Sequence, residues 1–347
     1  MPVVMDSFGF AKSCALMYNI GTEQIERRLF AALLKYRRQF PVTGKRKTKY
    51  LHPYNTLYTE RGITMKQQIL QQTFDEERPL YHLQDALVKN CTFAGPADGE
   101  SVLKESHRIC VEDCSFSLRY PLWHATDFEL SSSVLDEKTR APIWYAQRGT
   151  MTGCKIFGVK CLRECADIAL DDCEVSSPEF GWKCSGVTIR NSSIESEYFL
   201  FESRNVTIDR LNMKGKYSFQ YMDGLHITNS NLDTKDAFWH SKHVTVENSV
   251  VKGEYLGWFS EGLTLIGCKI IGTQPLCYCK DLKLIDCTME ETDLAFEYSD
   301  VEADVKGNIL SVKNPRSGRI TADSVGEVIM EDAVMECTGQ VILRSGQ

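Results

Sequence analysis

The chain has 347 residues, of which 43% are hydrophobic, and its formal net charge at neutral pH is −7. This apolar content suffices to bury a core, so an intrinsically disordered chain is excluded. Acidic and basic residues alternate along the sequence, so no long basic surface is available and we expect no nucleic-acid partner. Because no run of about 18 consecutive apolar residues occurs, we also expect no integral membrane segment.

The first predicted element in chain order is an amphipathic helix over residues 22–40. Apolar positions from Ile25 to Tyr36 recur between basic residues, Thr22 is a candidate N-cap, and Pro41 ends the pattern. Three interpretations stay open for residues 1–64: a lid over one end of the following domain, a loosely attached helix for a partner or membrane surface, or an upstream extension that does not fold with the rest. We therefore divide the chain into an N-terminal segment, 1–64, and a repeat domain, 65–347.

The repeat domain has a period of 19 residues. The first apolar residue of each unit lies at Ile168, Val187, Val206, Leu225, Val244, Leu263, Leu282 and Val301. Each unit alternates apolar and polar residues twice around a break filled by Asn, Asp or Gly, and a small residue, mostly Cys or Ser, follows the break. This pattern indicates a strand, a tight bend and a second strand. We predict an all-β, single-stranded parallel β-helix of about eleven coils, preceded by the short helical segment.

The fourteen cysteines match neither a disulfide framework nor paired zinc knuckles. The N-terminus lacks a charged leader followed by an apolar stretch, so we expect a non-exported, cytoplasmic protein with reduced thiols. His124 and His240 are six coils apart and cannot share a metal ion. Because the common nucleotide, metalloprotease and hydrolase motifs are also absent, we predict neither a metal nor a cofactor and assign no catalytic residue.

Several segments resemble a known family. They are 99–106, 120–123, 235–239, 253–258, 294–298 and 314–318. From about Met65 to its end, the chain is similar to an uncharacterised bacterial family of unknown function within the pectin-lyase-like superfamily. The resemblance implies a right-handed parallel β-helix and implies no particular reaction, since fold similarity alone is weak evidence for chemistry.

A further set of columns, meaning residues at the same position of successive coils, precedes each repeat unit and is predicted to be a third strand. One column carries charges that would be costly to bury, so we expect it to face solvent and bind a ligand. Its members are His124, Tyr145, Glu164, Lys183, Glu202, Tyr221 and His240. Strand alternation then places the tryptophan column that starts at Trp123 in the core and the apolar column that starts at Leu122 on the outer face. A bulge that inverted the register would instead expose the tryptophans as a sugar platform.

These columns predict a protein that binds a carbohydrate-like or other extended ligand on a charged strand face. The first alternative is a structural or protein-interaction scaffold that uses the apolar column, with a homo-oligomer as one form of it. The second alternative is a polysaccharide lyase or hydrolase. Glu164 and Glu202 lie two coils apart, roughly 9.6 Å by strand spacing, at the edge of the range for inverting glycosidases. Lys183 lies between them and disfavours a general acid there.

Overall fold

The structure is a computed structural model that describes residues 58–60, 63–95 and 100–344. These residues belong to one compact unit, Asn55–Gln347. The described part of the chain contains strands and turns and no helix. The helix predicted over residues 22–40 lies outside the described residues.

Most coils contain two short strands. The first strands are β3 (Gln67–Leu70), β5 (Gln84–Lys89), β7 (His107–Glu112), β9 (Thr126–Ser131), β11 (Gln147–Thr152), β13 (Ala166–Asp171), β15 (Thr188–Arg190), β17 (Arg204–Asp209), β19 (Asp223–Thr228), β21 (Lys242–Glu247) and β23 (Glu261–Ile266). The second strands are β4 (Thr73–Phe74), β6 (Thr92–Phe93), β8 (Ser115–Phe116), β10 (Val134–Leu135), β12 (Lys155–Ile156), β14 (Glu174–Ser176), β16 (Ser193–Glu197), β18 (Asn212–Lys216), β20 (Asn231–Lys235), β22 (Val250–Lys252) and β24 (Lys269–Ile271).

Longer strands follow towards the C-terminus. They are β25 (Leu282–Glu290), β26 (Asp300–Lys313) and β27 (Ser317–Ile329), and the short strand β28 (Gln340–Leu343) ends the stack. An antiparallel hairpin of β1 (Tyr58–Glu60) and β2 (Ile63–Met65) precedes the first coil.

Equivalent residues of successive coils pair in parallel, which confirms the repeat. Val206 pairs with Leu225, Leu225 with Val244, and Val244 with Leu263. The solenoid has about 14 turns, so the predicted count of about eleven coils is too low. The stack starts with β3, before the units that the sequence shows clearly. It also continues after Val301, which pairs with Gly318 in a step of 17 residues that a search for a period of 19 misses.

The bend between the two strands is closed by the small residue that follows it. The Ser133 hydroxyl donates to the Ser131 carbonyl at 2.8 Å and accepts the Cys114 backbone N–H at 3.0 Å. Cysteines occupy the same column, and the Cys154 thiol donates to the Thr152 carbonyl at 3.5 Å. All cysteines among the described residues have free thiols. The column therefore satisfies buried backbone groups at the corners where it holds Ser or Cys.

The third side of each coil is a run of turns, and the prediction of a third strand is wrong. Backbone φ is positive at alternate residues, as at Tyr120 (60°), Leu122 (59°) and His124 (56°). Left-handed residues interrupt the two-residue alternation of a strand, since each one changes the direction of the chain. As a result, Leu122 and Ala125 both point into the core, whereas the two residues between them do not.

Candidate ligand-binding surfaces

The predicted ligand-binding column forms an outer ladder on the third side, and its members are half-buried or exposed. They are His124, Tyr145, Glu164, Lys183, Glu202, Tyr221 and His240. The ladder continues with Phe259 and Tyr278. Its charged centre contains an ion pair between Lys183 Nζ and Glu202 Oε2 at 3.7 Å.

Aromatic rings of the outer ladder stack along the solenoid axis. The ring centroids of His124 and Tyr145 are 4.9 Å apart, and those of Tyr221 and His240 are 5.0 Å apart, with nearly parallel planes. The ring of His240 also stacks on Phe259 at 4.9 Å. Each stacked face is covered by its neighbour, so the ladder offers ring edges to solvent. A sugar ring that stacks on an aromatic side chain needs a free face, which only the ends of these stacks supply.

Burial shifts the ionisation of the ladder towards neutral forms. Desolvation lowers the pKa of His124, and the nearby Lys104 ammonium lowers it further. Desolvation also lowers the pKa of His240 and raises that of Tyr221, where the Glu202 carboxylate adds to the effect. Both imidazoles are therefore neutral at pH 7, and the ladder's fixed charges lie between Glu164 and Glu202.

The tryptophans beside the ladder are half-buried, so their predicted place in the core is wrong. Each indole N–H donates to a backbone carbonyl of the next coil, as Trp182 does to Tyr198 at 2.8 Å. The same bond is made by Trp123, Trp144, Trp239 and Trp258. Where the column holds Gln220, its side-chain amide donates to the Asp236 carbonyl at 2.9 Å. Where the column holds Trp or Gln220, it thus hydrogen-bonds one coil to the next, and all five indole N–H groups are used.

The apolar column predicted on the outer face is buried. Leu122, Ile143, Leu162, Leu200 and Phe219 have no exposed surface. The predicted alternation is wrong here because the third side is built from left-handed turns. The scaffold interpretation therefore loses the surface on which it was based.

A concave surface lies instead on the outer face of the first strands, and we call it the polar groove. It has a volume of about 490 Å³ and spans five successive coils, from β7 to β15. Its outward-facing lining residues are Cys110, Glu112, Glu129, Ser131, Thr150, Thr152, Ala169, Asp171, Thr188 and Arg190. The sequence shows these positions as the polar half of each strand, which solvent exposure alone would explain. The concavity has no sequence signal.

The polar groove combines hydroxyl groups with charges of both signs. Glu112 forms an ion pair with Lys89 at 2.7 Å, and Asp171 accepts a hydrogen bond from the Asn191 amide at 2.7 Å. Arg190 lies at the far end of the groove, in the coil of β15. Such a wall can donate to and accept from a ligand that carries many hydroxyl groups.

The described residues contain neither a metal-binding cluster nor a membrane-spanning helix. No group of three or more His, Cys, Asp or Glu side chains there is arranged to hold a metal ion. Within the same residues, no helix is long and apolar enough to cross a membrane.

These features define a class of protein: a parallel β-solenoid with a polar groove on one strand face and a stacked aromatic ladder on the third side, which is built from turns. Within that class, the chain belongs to the family described as protein of unknown function (DUF3737), whose model matches residues 67–343. A search of curated proteins gave no match.

Solved structures similar to this chain include enzymes and an adhesin. The mannuronan C-5 epimerase AlgE4 A-module of Azotobacter vinelandii is 10% identical over 80% of this chain and 89% of that chain, with a TM-score of 0.31. The endo-xylogalacturonan hydrolase of Aspergillus tubingensis is 10% identical over 79% and 87%, with a TM-score of 0.32. The surface adhesin PfbA of Streptococcus pneumoniae is 8% identical over 63% and 72%, with a TM-score of 0.35.

Proposed function

We propose that the protein binds an extended, hydroxyl-rich ligand of the carbohydrate type in the polar groove. The observation that carries this proposal is one continuous concavity of about 490 Å³ built from the polar outer faces of five successive coils. Ligand sites are concave and hold a few well-placed polar groups, and this surface has both properties.

The dimensions of the polar groove favour an extended ligand. Neighbouring coils are spaced by about 4.8 Å, so five coils span about 19 Å along the axis. Equivalent positions repeat at that spacing: Thr152 and Asp171 are direct neighbours in one column, and Thr150 and Thr188 lie two coils apart in the adjacent column, with Ala169 between them. A regular row of donors and acceptors suits a polymer whose own polar groups recur along a straight chain.

The outer ladder supports the competing site, in which Glu164, Lys183 and Glu202 contact the ligand. Its charged centre is exposed and adjoins stacked rings, but the groove offers more enclosed polar surface. Turnover is a weaker proposal at the ladder because Lys183, which is ion-paired with Glu202, lies between the two carboxylates that would have to flank the scissile bond.

A glycan array followed by calorimetry tests the groove. The double substitution Thr150→Val and Thr188→Val removes two hydroxyls from the groove and preserves side-chain shape. We expect it to weaken a saturable glycan signal at least tenfold, because each lost hydrogen bond leaves a ligand hydroxyl unpaired.

Two further variants show whether the loss of binding is specific to the groove. The matched control, Thr245→Val with Thr264→Val, alters the same column outside the groove and should leave binding unchanged. Loss of binding with Glu202→Ala, and not with the groove variant, would move the site to the outer ladder. The absence of any glycan signal would refute the proposal.

We also propose that the protein works in a reducing compartment such as the cytoplasm. The free thiols of the described cysteines support this, since most of them are buried between coils where oxidation would disturb packing. Fractionation of the native cells tests it, and recovery of the protein outside the cytoplasm would contradict it.

A further inference from the structure

At one end of the polar groove, Met65 of β2 covers the column of outward-facing residues that contains Cys110. Most outward-facing residues of the first strands are accessible to solvent, and Thr207 of β17 is exposed. Leu87 of β5 and Cys110 of β7 belong to the same column, yet they are only 7% and 6% exposed. Met65 packs on both of them and is itself 2% exposed. Met65 thus covers this column where the groove begins.

A second concavity joins Met65 to the groove. It has a volume of about 190 Å³, is lined by Met65 and Arg148, and shares Cys110, Glu129 and Thr150 with the polar groove. Both of its arginines are ion-paired, since Arg148 Nε donates to Asp127 at 2.6 Å and Arg108 Nε donates to Asp85 at 2.5 Å. The surface beside Met65 is therefore a formed end wall with its charges compensated.

In the part of the chain that the structure describes, the opposite end of the groove is open. The lining stops at Thr188 and Arg190 of β15, and Thr207, which follows Thr188 in its column, is exposed. A straight ligand can leave the groove over the outer face of β17 without meeting another described residue that blocks it. In the other direction it meets Met65 after passing Cys110.

We infer that the polar groove binds the terminal units of a chain, with the end of the chain against Met65, and selects ligands by that free end. The inference rests on the proposed function and adds that the interior of a polymer is not the ligand. A chain that continued past Met65 would have to displace a side chain packed on Leu87 and Cys110, which would cost the apolar contacts between them.

The experiment compares two orientations of the same probes. Three linear hexasaccharides are used: one neutral and β-linked, one neutral and α-linked, and one polyuronate. Each is printed on the array once through its reducing end and once through its non-reducing end. We expect the wild-type protein to bind at least tenfold more tightly to one of the two prints. The variant Met65→Ala opens the end wall and should bring both prints within about threefold of each other. The control Met335→Ala removes an exposed methionine elsewhere and should behave as wild type.

The outcomes separate this inference from the proposed function. Equal binding of wild type to both prints would overturn the end-selective groove and leave groove binding intact. No binding to either print would overturn both. If Met65→Ala fails to fold, the comparison of prints with wild-type protein still decides the inference.

Discussion

Two buried aspartates show how a column neighbour decides the ionisation of a single residue. Asp85 is 6% exposed, and hydrogen bonds from Arg108 and then Lys66 hold the pKa of its carboxyl far below the usual range. Asp236 is 5% exposed, and burial raises the pKa of its carboxyl to about 6, with Lys235 opposing the shift. The two pKa shifts are opposite because hydrogen bonds from two cations dominate at Asp85, whereas desolvation dominates at Asp236.

Asp236 makes the stability of the protein pH-dependent. Its folded-state pKa lies above the unfolded value of 3.8, so its contribution is fully present below pH 3.8 and is lost as the pH rises through about 6. Asp236→Asn should therefore raise the thermal unfolding midpoint at pH 7.5 by several degrees and leave it nearly unchanged at pH 4. Each pKa unit corresponds to about 1.4 kcal/mol, so the gain is at most about 3 kcal/mol.

Melting curves from pH 4 to 8 check this prediction. The control Asp233→Asn alters a half-exposed carboxylate beside Lys252. It should not change how the thermal unfolding midpoint depends on pH. Parallel pH profiles for wild type and Asp236→Asn would contradict a raised folded-state pKa.

At the level of elements, the third side of each coil differs from the other two. The strands follow the two-residue alternation of the sequence, as in β19, where Leu225 and Ile227 are buried and His226 is exposed. On the third side, left-handed residues bring Leu200 into the core and leave Phe201 partly outside. The Phe201 ring contacts Trp182 at 5.2 Å and Tyr221 at 5.5 Å, so it packs on the surface.

Truncation of these neighbours tests that geometry. Leu200→Ala leaves a cavity in the core and should lower the free energy of unfolding by about 2–5 kcal/mol. Phe201→Ala removes surface contacts and should cost less, about 1 kcal/mol. Chemical denaturation of both variants measures the difference. A larger loss for Phe201→Ala would instead support a third strand with the aromatic column inside.

At the level of the whole molecule, each coil contacts only its neighbours, so stability should fall towards the ends of the stack. The C-terminal end is also the most apolar part of the described surface, with Val334 84% and Leu343 56% exposed. Strand β28 pairs only with residues 319–322 of β27, so the rest of β27 has no following strand within the described residues. On the edge of β27 that faces away from β26, the remaining backbone N–H and C=O groups depend on solvent or on a partner for hydrogen bonds.

Hydrogen exchange should follow this arrangement. We expect amides of β13 to β23 to be protected longest, and those of β28 and the end of β27 to exchange first, because terminal coils open without disrupting the centre. Mass spectrometry of exchanged peptides measures this order. Uniform protection along the solenoid would show that the chain opens as one unit.

The repeat allowed much of the fold to be predicted. Alternation in units such as Val187–Ile194 located both strands, and the Asn or Asp at each bend located the corner. The candidate site was harder to predict from such patterns. The outer ladder was correctly placed at the surface, but the groove was not found, because Thr150 and Thr188 look like any solvent-facing residues of a strand.

The sequence by itself therefore determined the register of the stack, since a fixed period and its bend residues dictate which positions lie above one another. Only the tertiary structure decided which third-side columns enter the core, because left-handed turns break the alternation that a linear pattern assumes. It also decided where the surface is concave and where the groove ends. Those properties arise from contacts between coils, and from Met65 folding onto strands that follow it in sequence, which no local pattern records.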